Sequence, residues 1–312
     1  MTTDALKGRD LLRLSDFSPA ELALVLDTAT EQKRAWASGR RDRPLEGQAI
    51  ALIFQKPSMR TRVSFEVACT RLGATPIVLG GNDTVFSRGE TVYDTTKVLE
   101  RYCDAIVIRT FDQSLVAEIA DTARVPVVNA LTDDYHPCQG LADLLTIREH
   151  KGDLAGLNFA YVGDGNNMAS TYLEAGALAG MQVRIATPKG FEPAAEAVET
   201  AREIAERTGA TIDIGIDAAR AVTGADVVAA DTWASMGQES ERDERIRVFE
   251  PYCVDASLMG LARSGAVFMH CLPAHRGEEV TDAVIDSEAS IVFDEAENRL
   301  HAQKALLSLL LG

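Results

Sequence analysis

Short apolar runs alternate twice along this chain with segments whose apolar residues recur at helical spacing, and no other feature restricts the fold so strongly. Runs that read as buried strands cover 49–54, 75–79, 105–109 and 127–130, with helices expected at 63–72, 91–103, 114–123 and 141–150. A strand that returns through a helix to another strand pairs in parallel, with a right-handed crossover. A helical lead-in comes first, with Ser15 and Ser18 offering caps and a helix expected over 19–38. Lys151-Gly152-Asp153-Leu154-Ala155-Gly156 then breaks the pattern and reads as a hinge. Beyond it, strands are expected at 158–162, 182–186, 211–214, 227–230 and 266–270, with a short one at 291–293 and a closing helix over 298–310. The expected fold class is α/β in two domains, residues 1–150 and 151–295, each a parallel sheet flanked by helices. A chain of 312 residues is long enough for both.

In parallel sheets ligands sit beyond the carboxyl ends of the strands, and six of the expected strands end in polar candidates. After 49–54 comes Gln55-Lys56-Pro57-Ser58-Met59-Arg60-Thr61-Arg62. Pro57 and Ser58 end the strand and open a helix, so Ser58, Arg60, Thr61 and Arg62 crowd its amino end. That end has free N–H groups and the positive pole of the helix dipole. Two hydroxyls and two guanidinium groups there match phosphate oxygens. An N-cap with solvated arginines is the plainer reading of the same residues.

The charge balance sharpens this. With 31 basic against 47 acidic residues the net charge is −16, which argues against nucleic acid or an anionic membrane as the main partner. An anionic substrate would need a local basic pocket in an acidic body. No apolar run approaches the roughly 20 residues of a membrane span, and the amino terminus lacks a signal-peptide pattern, so a cytoplasmic location is expected. Five cysteines without a C-x-x-C pair, and five histidines without metal spacing, argue against a disulfide framework or a zinc site.

The other strand ends carry further candidates. Arg109 closes an apolar strand, either to reach solvent or as a second anion clamp. His136-Pro137-Cys138-Gln139 follows the fourth strand, where the imidazole reads as a turn residue or as a donor, and Cys138 as core. Gly163-Asp164-Gly165-Asn166-Asn167 follows a strand, but Met168 stands where the third glycine of a dinucleotide loop belongs, and no acidic residue follows about 20 positions on. Asp231 precedes Ser235-Met236-Gly237 and reads as a cap or a ligand. His270-Cys271-Leu272-Pro273-Ala274-His275-Arg276-Gly277 follows another strand, and Arg299 lies in Glu297-Asn298-Arg299-Leu300-His301, where a salt bridge would equally explain it.

Taken together, these segments resemble the aspartate/ornithine carbamoyltransferases over residues 54 to 301. Ser58-Met59-Arg60-Thr61-Arg62 is similar to the family's Ser-Thr-Arg-Thr-Arg phosphate loop, and His136-Pro137-Cys138-Gln139 to its His-Pro-Cys-Gln motif. Asp231 with Ser235-Met236-Gly237 resembles the loop of the ornithine-using members, as does the segment from His270 to Gly277. The resemblance implies transfer of the carbamoyl group of carbamoyl phosphate to L-ornithine, giving L-citrulline and phosphate without metal or organic cofactor. It implies carbamoyl-phosphate contacts from Ser58, Met59, Arg60, Thr61, Arg109, His136, Gln139, Cys271, Leu272 and Arg299. Of these, Arg60, His136, Cys271 and Arg299 would serve catalysis. Ornithine would bind Asn167, Asp231, Ser235 and Met236. It also implies that the last helix, within 296–312, returns to the first domain, and that the chain forms a homotrimer or a multiple of trimers.

Two positions depart from the family pattern. Met59 replaces a hydroxyl residue, and Val85 stands where many members carry a glutamine that reaches carbamoyl phosphate in the neighbouring subunit. Other acceptors (putrescine, lysine, an acylated ornithine) keep the same chemistry, and a non-catalytic binding protein or a nicotinamide dehydrogenase are readings of another class.

Overall fold

The computed structural model describes residues 3–80, 89–234 and 242–312, so Val85, Ser235 and Met236 lie outside the described residues. The chain forms two compact units, Met1–Leu145 with Glu297–Gly312, and Thr146–Ala296.

Unit 1 opens with helix α1 (Pro19–Ala37), whose start the sequence marks three times. Pro19 takes the first helical position, Ser18 accepts from the Glu21 N–H, and the Glu21 side chain returns to the Ser18 N–H. Four parallel strands follow, β1 (Ala49–Phe54), β2 (Thr75–Gly80), β3 (Ala105–Arg109) and β4 (Val127–Leu131), in the order β2-β1-β3-β4. They alternate with α2 (Met59–Leu72), α3 (Val92–Tyr102), α4 (Gln113–Thr122) and α5 (Pro137–Lys151). The central strands are buried except at Ala49, which opens β1, as continuous apolar sequence in a doubly covered parallel sheet should be. β2 is the outer strand and stays half-exposed, which is where Pro76, lacking an N–H, costs the ladder least. Ala51, Ile53, Ile106, Ile108, Val116 and Ile119 pack into one apolar cluster, each large side chain contributing about 1.5–3 kcal/mol on burial.

Unit 2 holds a five-stranded parallel sheet in the order β7-β6-β5-β8-β9: β5 (Asn158–Val162), β6 (Gln182–Ala186), β7 (Thr211–Gly215), β8 (Val227–Ala230) and β9 (Val267–His270). Its helices are α6 (Asn167–Leu178), α7 (Ala195–Thr208), α8 (Ala218–Val222), α9 (Arg242–Phe249), α10 (Ala256–Met259) and α11 (Asp282–Ile285). Val162, Val228, Phe268 and Val284 anchor its apolar cluster.

The expected strand at 291–293 is not one. Ile291 donates its N–H to the Phe268 carbonyl, a single step of ladder beside an isolated bridge from Phe268 to Ser290. The chain then turns into α12 (Val292–Leu311), longer than the helix expected over 298–310. A three-residue apolar run fits a strand or a helix start equally, and Asp294 and Glu295 in the first turn favour the helix through its dipole. The carboxyl-terminal part of α12 packs on unit 1: Ser308 accepts from Gln32 at 2.7 Å, Asn298 from Lys33 at 2.8 Å, and the Leu310 carbonyl from the Gly8 N–H at 2.9 Å.

Candidate active site

In unit 1 the candidates gather at the carboxyl ends of β1, β3 and β4. Ser58 caps α2 by accepting from the Thr61 N–H at 3.3 Å, which leaves Met59, Arg60 and Thr61 in the first helical turn. Arg109 lies beside Phe54 in the sheet register. It donates to the buried Thr61 hydroxyl at 3.4 Å, and Arg299 of α12 donates to the same oxygen at 3.3 Å. The other Arg299 nitrogen donates to Gln139 Oε1 at 2.7 Å, and Gln139 Nε2 donates to Asp143 at 2.7 Å. With its amide turned so that both ends are satisfied, Gln303 accepts from Arg299 and donates to Ser64. One network therefore fixes Thr61, Arg109, Gln139 and Arg299. Arg60 makes no hydrogen bond or ion pair with any described residue.

His136 sits one residue before α5, buried. Burial, and then the charges of Arg299, Arg109 and Arg60, hold its pKa well below the ordinary imidazole value. The ring is thus neutral at pH 7 and keeps one N–H to donate. Because the folded chain resists a proton that the unfolded chain accepts, His136 stabilises the fold above about pH 6.5, and that contribution is lost as pH falls below it. An NMR titration of the His136 ring carbons, assigned with His136→Gln, should show a midpoint well below the ordinary imidazole value. A midpoint near 6.5 would contradict this environment. Cys138 is structural: its thiol donates to the Asn129 carbonyl at 3.4 Å and burial raises its pKa to about 12.

Met59 is 70% exposed at the first position of α2. A hydroxyl there would add one charge-assisted hydrogen bond to a bound phosphate. Met59→Thr is accordingly expected to lower the KM for carbamoyl phosphate by up to about tenfold. An unchanged or higher KM would rule that out. Sequence reasoning missed Lys56, which is buried, ion-paired with Asp133 and 4.1 Å from the centroid of the Phe111 ring. It also missed Asp143, the anion that orients Gln139.

In unit 2 further candidates lie at the carboxyl ends of β5, β8 and β9. Asp231 is buried and accepts from Asn166 Nδ2 at 2.8 Å and from the Cys271 thiol at 3.3 Å. Asn166 also caps α6, its oxygen accepting from the Met168 and Ala169 N–H groups, so Asn167 begins the helix beside it. Leu272 adopts φ 60°, a left-handed conformation that costs a residue with a Cβ about 1–2 kcal/mol. Its N–H is held by His270 Nδ1 at 2.9 Å, and His270 Nε2 lies 3.1 Å from the buried Glu279. That places the His270 proton on Nε2. Asp164 pairs with the buried Arg245, which also donates to the Trp233 carbonyl and lies over Phe191 and Phe249. Donor atoms of Asp231, His270 and Cys271, and of His275, Glu278 and Glu279, come within 4.8 Å of one another. The hydrogen bonds just described already engage most of them.

The two units carry the features of a carbamoyl-transfer enzyme, and comparison with known proteins gives the class. Residues 9–149 match the carbamoyl-P binding domain, and residues 155–310 the Asp/Orn binding domain, of aspartate/ornithine carbamoyltransferase. The chain belongs to that family. Among its relatives, the ornithine carbamoyltransferase of Anoxybacillus flavithermus is 52% identical over 99% of this chain and 98% of its own length. The anabolic ornithine carbamoyltransferase of Pyrococcus furiosus is 50% identical over 99% of this chain and 98% of its own. A solved structure of ornithine carbamoyltransferase from Pyrococcus furiosus superposes with a TM-score of 0.96, at 50% identity, over 98% of both chains.

Proposed function

We infer that this chain transfers the carbamoyl group of carbamoyl phosphate to the δ-amine of L-ornithine, giving L-citrulline and phosphate. The observation that carries this reading is similarity to ornithine carbamoyltransferases at about half identity along the whole chain. The Thr61–Arg109–Arg299–Gln139 network beside a neutral His136 supplies the matching chemistry.

We assign the phosphate to Ser58, Met59 through its N–H, Arg60, Thr61, Arg109 and the amino end of α2. Arg60, His136 and Arg299 polarise the carbamoyl oxygen, while Gln139 and the Leu272 carbonyl hold its NH2 group. Attack puts negative charge on that oxygen, and fixed donors aimed there lower the barrier. Asn167, Asp231, Ser235 and Met236 are assigned to the α-amino acid end of ornithine, with the δ-amine near Cys271. An alkyl ammonium has a pKa near 10.4, so the nitrogen must attack in its minor neutral form and shed one proton as the bond forms. On this reading residues 1–150 and 296–312 serve carbamoyl phosphate and 151–295 serve ornithine, and no cofactor takes part.

A homotrimer or a multiple of trimers fits the apolar side chains that α2 and α3 leave exposed on unit 1, among them Met59, Val63, Tyr93, Val98 and Tyr102. No helix among the described residues is long and apolar enough to cross a membrane. With the acidic net charge, this supports a cytoplasmic enzyme of arginine metabolism without nucleic-acid or membrane partners. The test is an acceptor panel with carbamoyl phosphate: ornithine should exceed lysine, putrescine and N-acetylornithine in kcat/KM by about 100-fold or more. Equal use of another amine would replace the acceptor, and binding without phosphate release would remove the enzyme reading.

A further inference from the structure

Unit 1 carries a second concentration of positive charge, centred on Trp36 near the end of α1. The guanidinium carbons of Arg41 and Arg71 lie 3.8 Å and 4.1 Å from the indole centroid, so both cations lie over the same ring. Lys304 Nζ lies 5.7 Å from the same centroid. Arg41 is locked in place by donating to the Trp36 and Arg40 carbonyls at 2.7 Å and 2.9 Å.

Lys304 is only 6% exposed, yet neither it nor Arg71 makes a hydrogen bond or ion pair with any described residue. The carboxylate that most favours the Lys304 charge, Asp42, is taken by Arg40. The one that most favours the Arg71 charge, Glu297, faces His301 at 3.2 Å. Burial and then the neighbouring guanidinium depress the pKa of both cations, Lys304 by Arg71 and Arg71 by Arg41. An aromatic face attracts a cation but leaves its N–H donors without an acceptor. Closely set cations, with Lys304 buried, Arg71 half-buried and the donors of both unfilled by described residues, want an oxyanion.

We propose that Lys304, Arg71 and Arg41 form a second anion site that takes a phosphate dianion, separate from the loop at the start of α2. Forked guanidinium donors and a point ammonium around a rigid ring match its oxygens. The site is distinct by geometry. Arg71 is ten residues beyond Thr61, about 15 Å along α2, and Lys304 is five residues beyond Arg299, turned about 140° around α12. In a chain of net charge −16 this patch is not part of a general basic surface.

The test titrates inorganic phosphate into the full chain at constant ionic strength, reading tryptophan fluorescence, with Trp36→Phe to identify the reporter. A saturable change is expected that Trp36→Phe removes and Arg60→Ala retains. Lys304→Met and Arg71→Met should each weaken it at least tenfold while citrulline formation stays within about twofold. Phenyl phosphate in a parallel arm tells phosphate monoesters, if it binds as well, from the free ion, if it does not. Equal saturation in both cation variants, loss of the signal in Arg60→Ala, or the same response to chloride would overturn the proposal.

Discussion

Replacing Arg60 with alanine is expected to lower kcat/KM for carbamoyl transfer by about 10³-fold or more, with the melting temperature almost unchanged. The size of the effect follows from the two tasks assigned to this guanidinium. Loss of one donor to a developing oxyanion costs about 10²–10³-fold, and loss of a charge-assisted contact to phosphate adds to it. The unchanged stability follows from what Arg60 touches. Arg109 and Arg299 both donate to Thr61, and Arg299 also to Gln139, whereas Arg60 bonds to no described residue. Removing it therefore leaves no partner among the described residues unsatisfied, and about 0.5 kcal/mol is the expected limit of its structural cost. Steady-state kinetics and a thermal melt on the same preparation read both quantities. Activity within tenfold of wild type would remove Arg60 from catalysis.

Asp164→Ala is expected to destabilise the protein by about 3–5 kcal/mol, because it removes the carboxylate ion-paired with the buried Arg245 guanidinium. The pair is not a simple source of stability. Burial, assisted by the charge of Asp231, raises the Asp164 pKa to about 6 despite the neighbouring Arg245. A carboxyl raised above its unfolded value of 3.8 contributes stability that is full below that pH and is lost as pH rises through about 6. At pH 7 the carboxylate thus bears a desolvation cost, and its removal is still worse because it takes the counter-charge from a buried cation. The double change Asp164→Leu with Arg245→Met should recover much of the loss in urea unfolding. If the single variant matched wild type, the pair would have no such role.

What was legible in the sequence depended on how local each signal was. Strand and helix periodicity is local, and it located β1, β3, β5 and β8 to the residue. The phosphate loop was legible because its side chains are consecutive at a helix start, and His136 and Gln139 because they share a tetrapeptide. Asp143 was not, since an acidic residue inside a helix carries no mark until Gln139 turns towards it one helical turn away. Lys56 with Asp133 and Asp164 with Arg245 are pairs 77 and 81 residues apart, which only the folded sheets bring together. The segment 291–293 failed for the opposite reason, since so short a run fits two periods at once. At Asn166 and Asn167 the motif was visible, but only the structure separates the residue that caps α6 and holds Asp231 from its neighbour.

The most direct test of the central claim is transfer of label from ¹³C-carbamoyl phosphate to ornithine, followed by NMR with wild type and Arg60→Ala. Wild type is expected to place one ureido carbon on the δ-nitrogen for each phosphate released, and the variant none above background. Phosphate release without labelled citrulline, or equal labelling by both proteins, would contradict it.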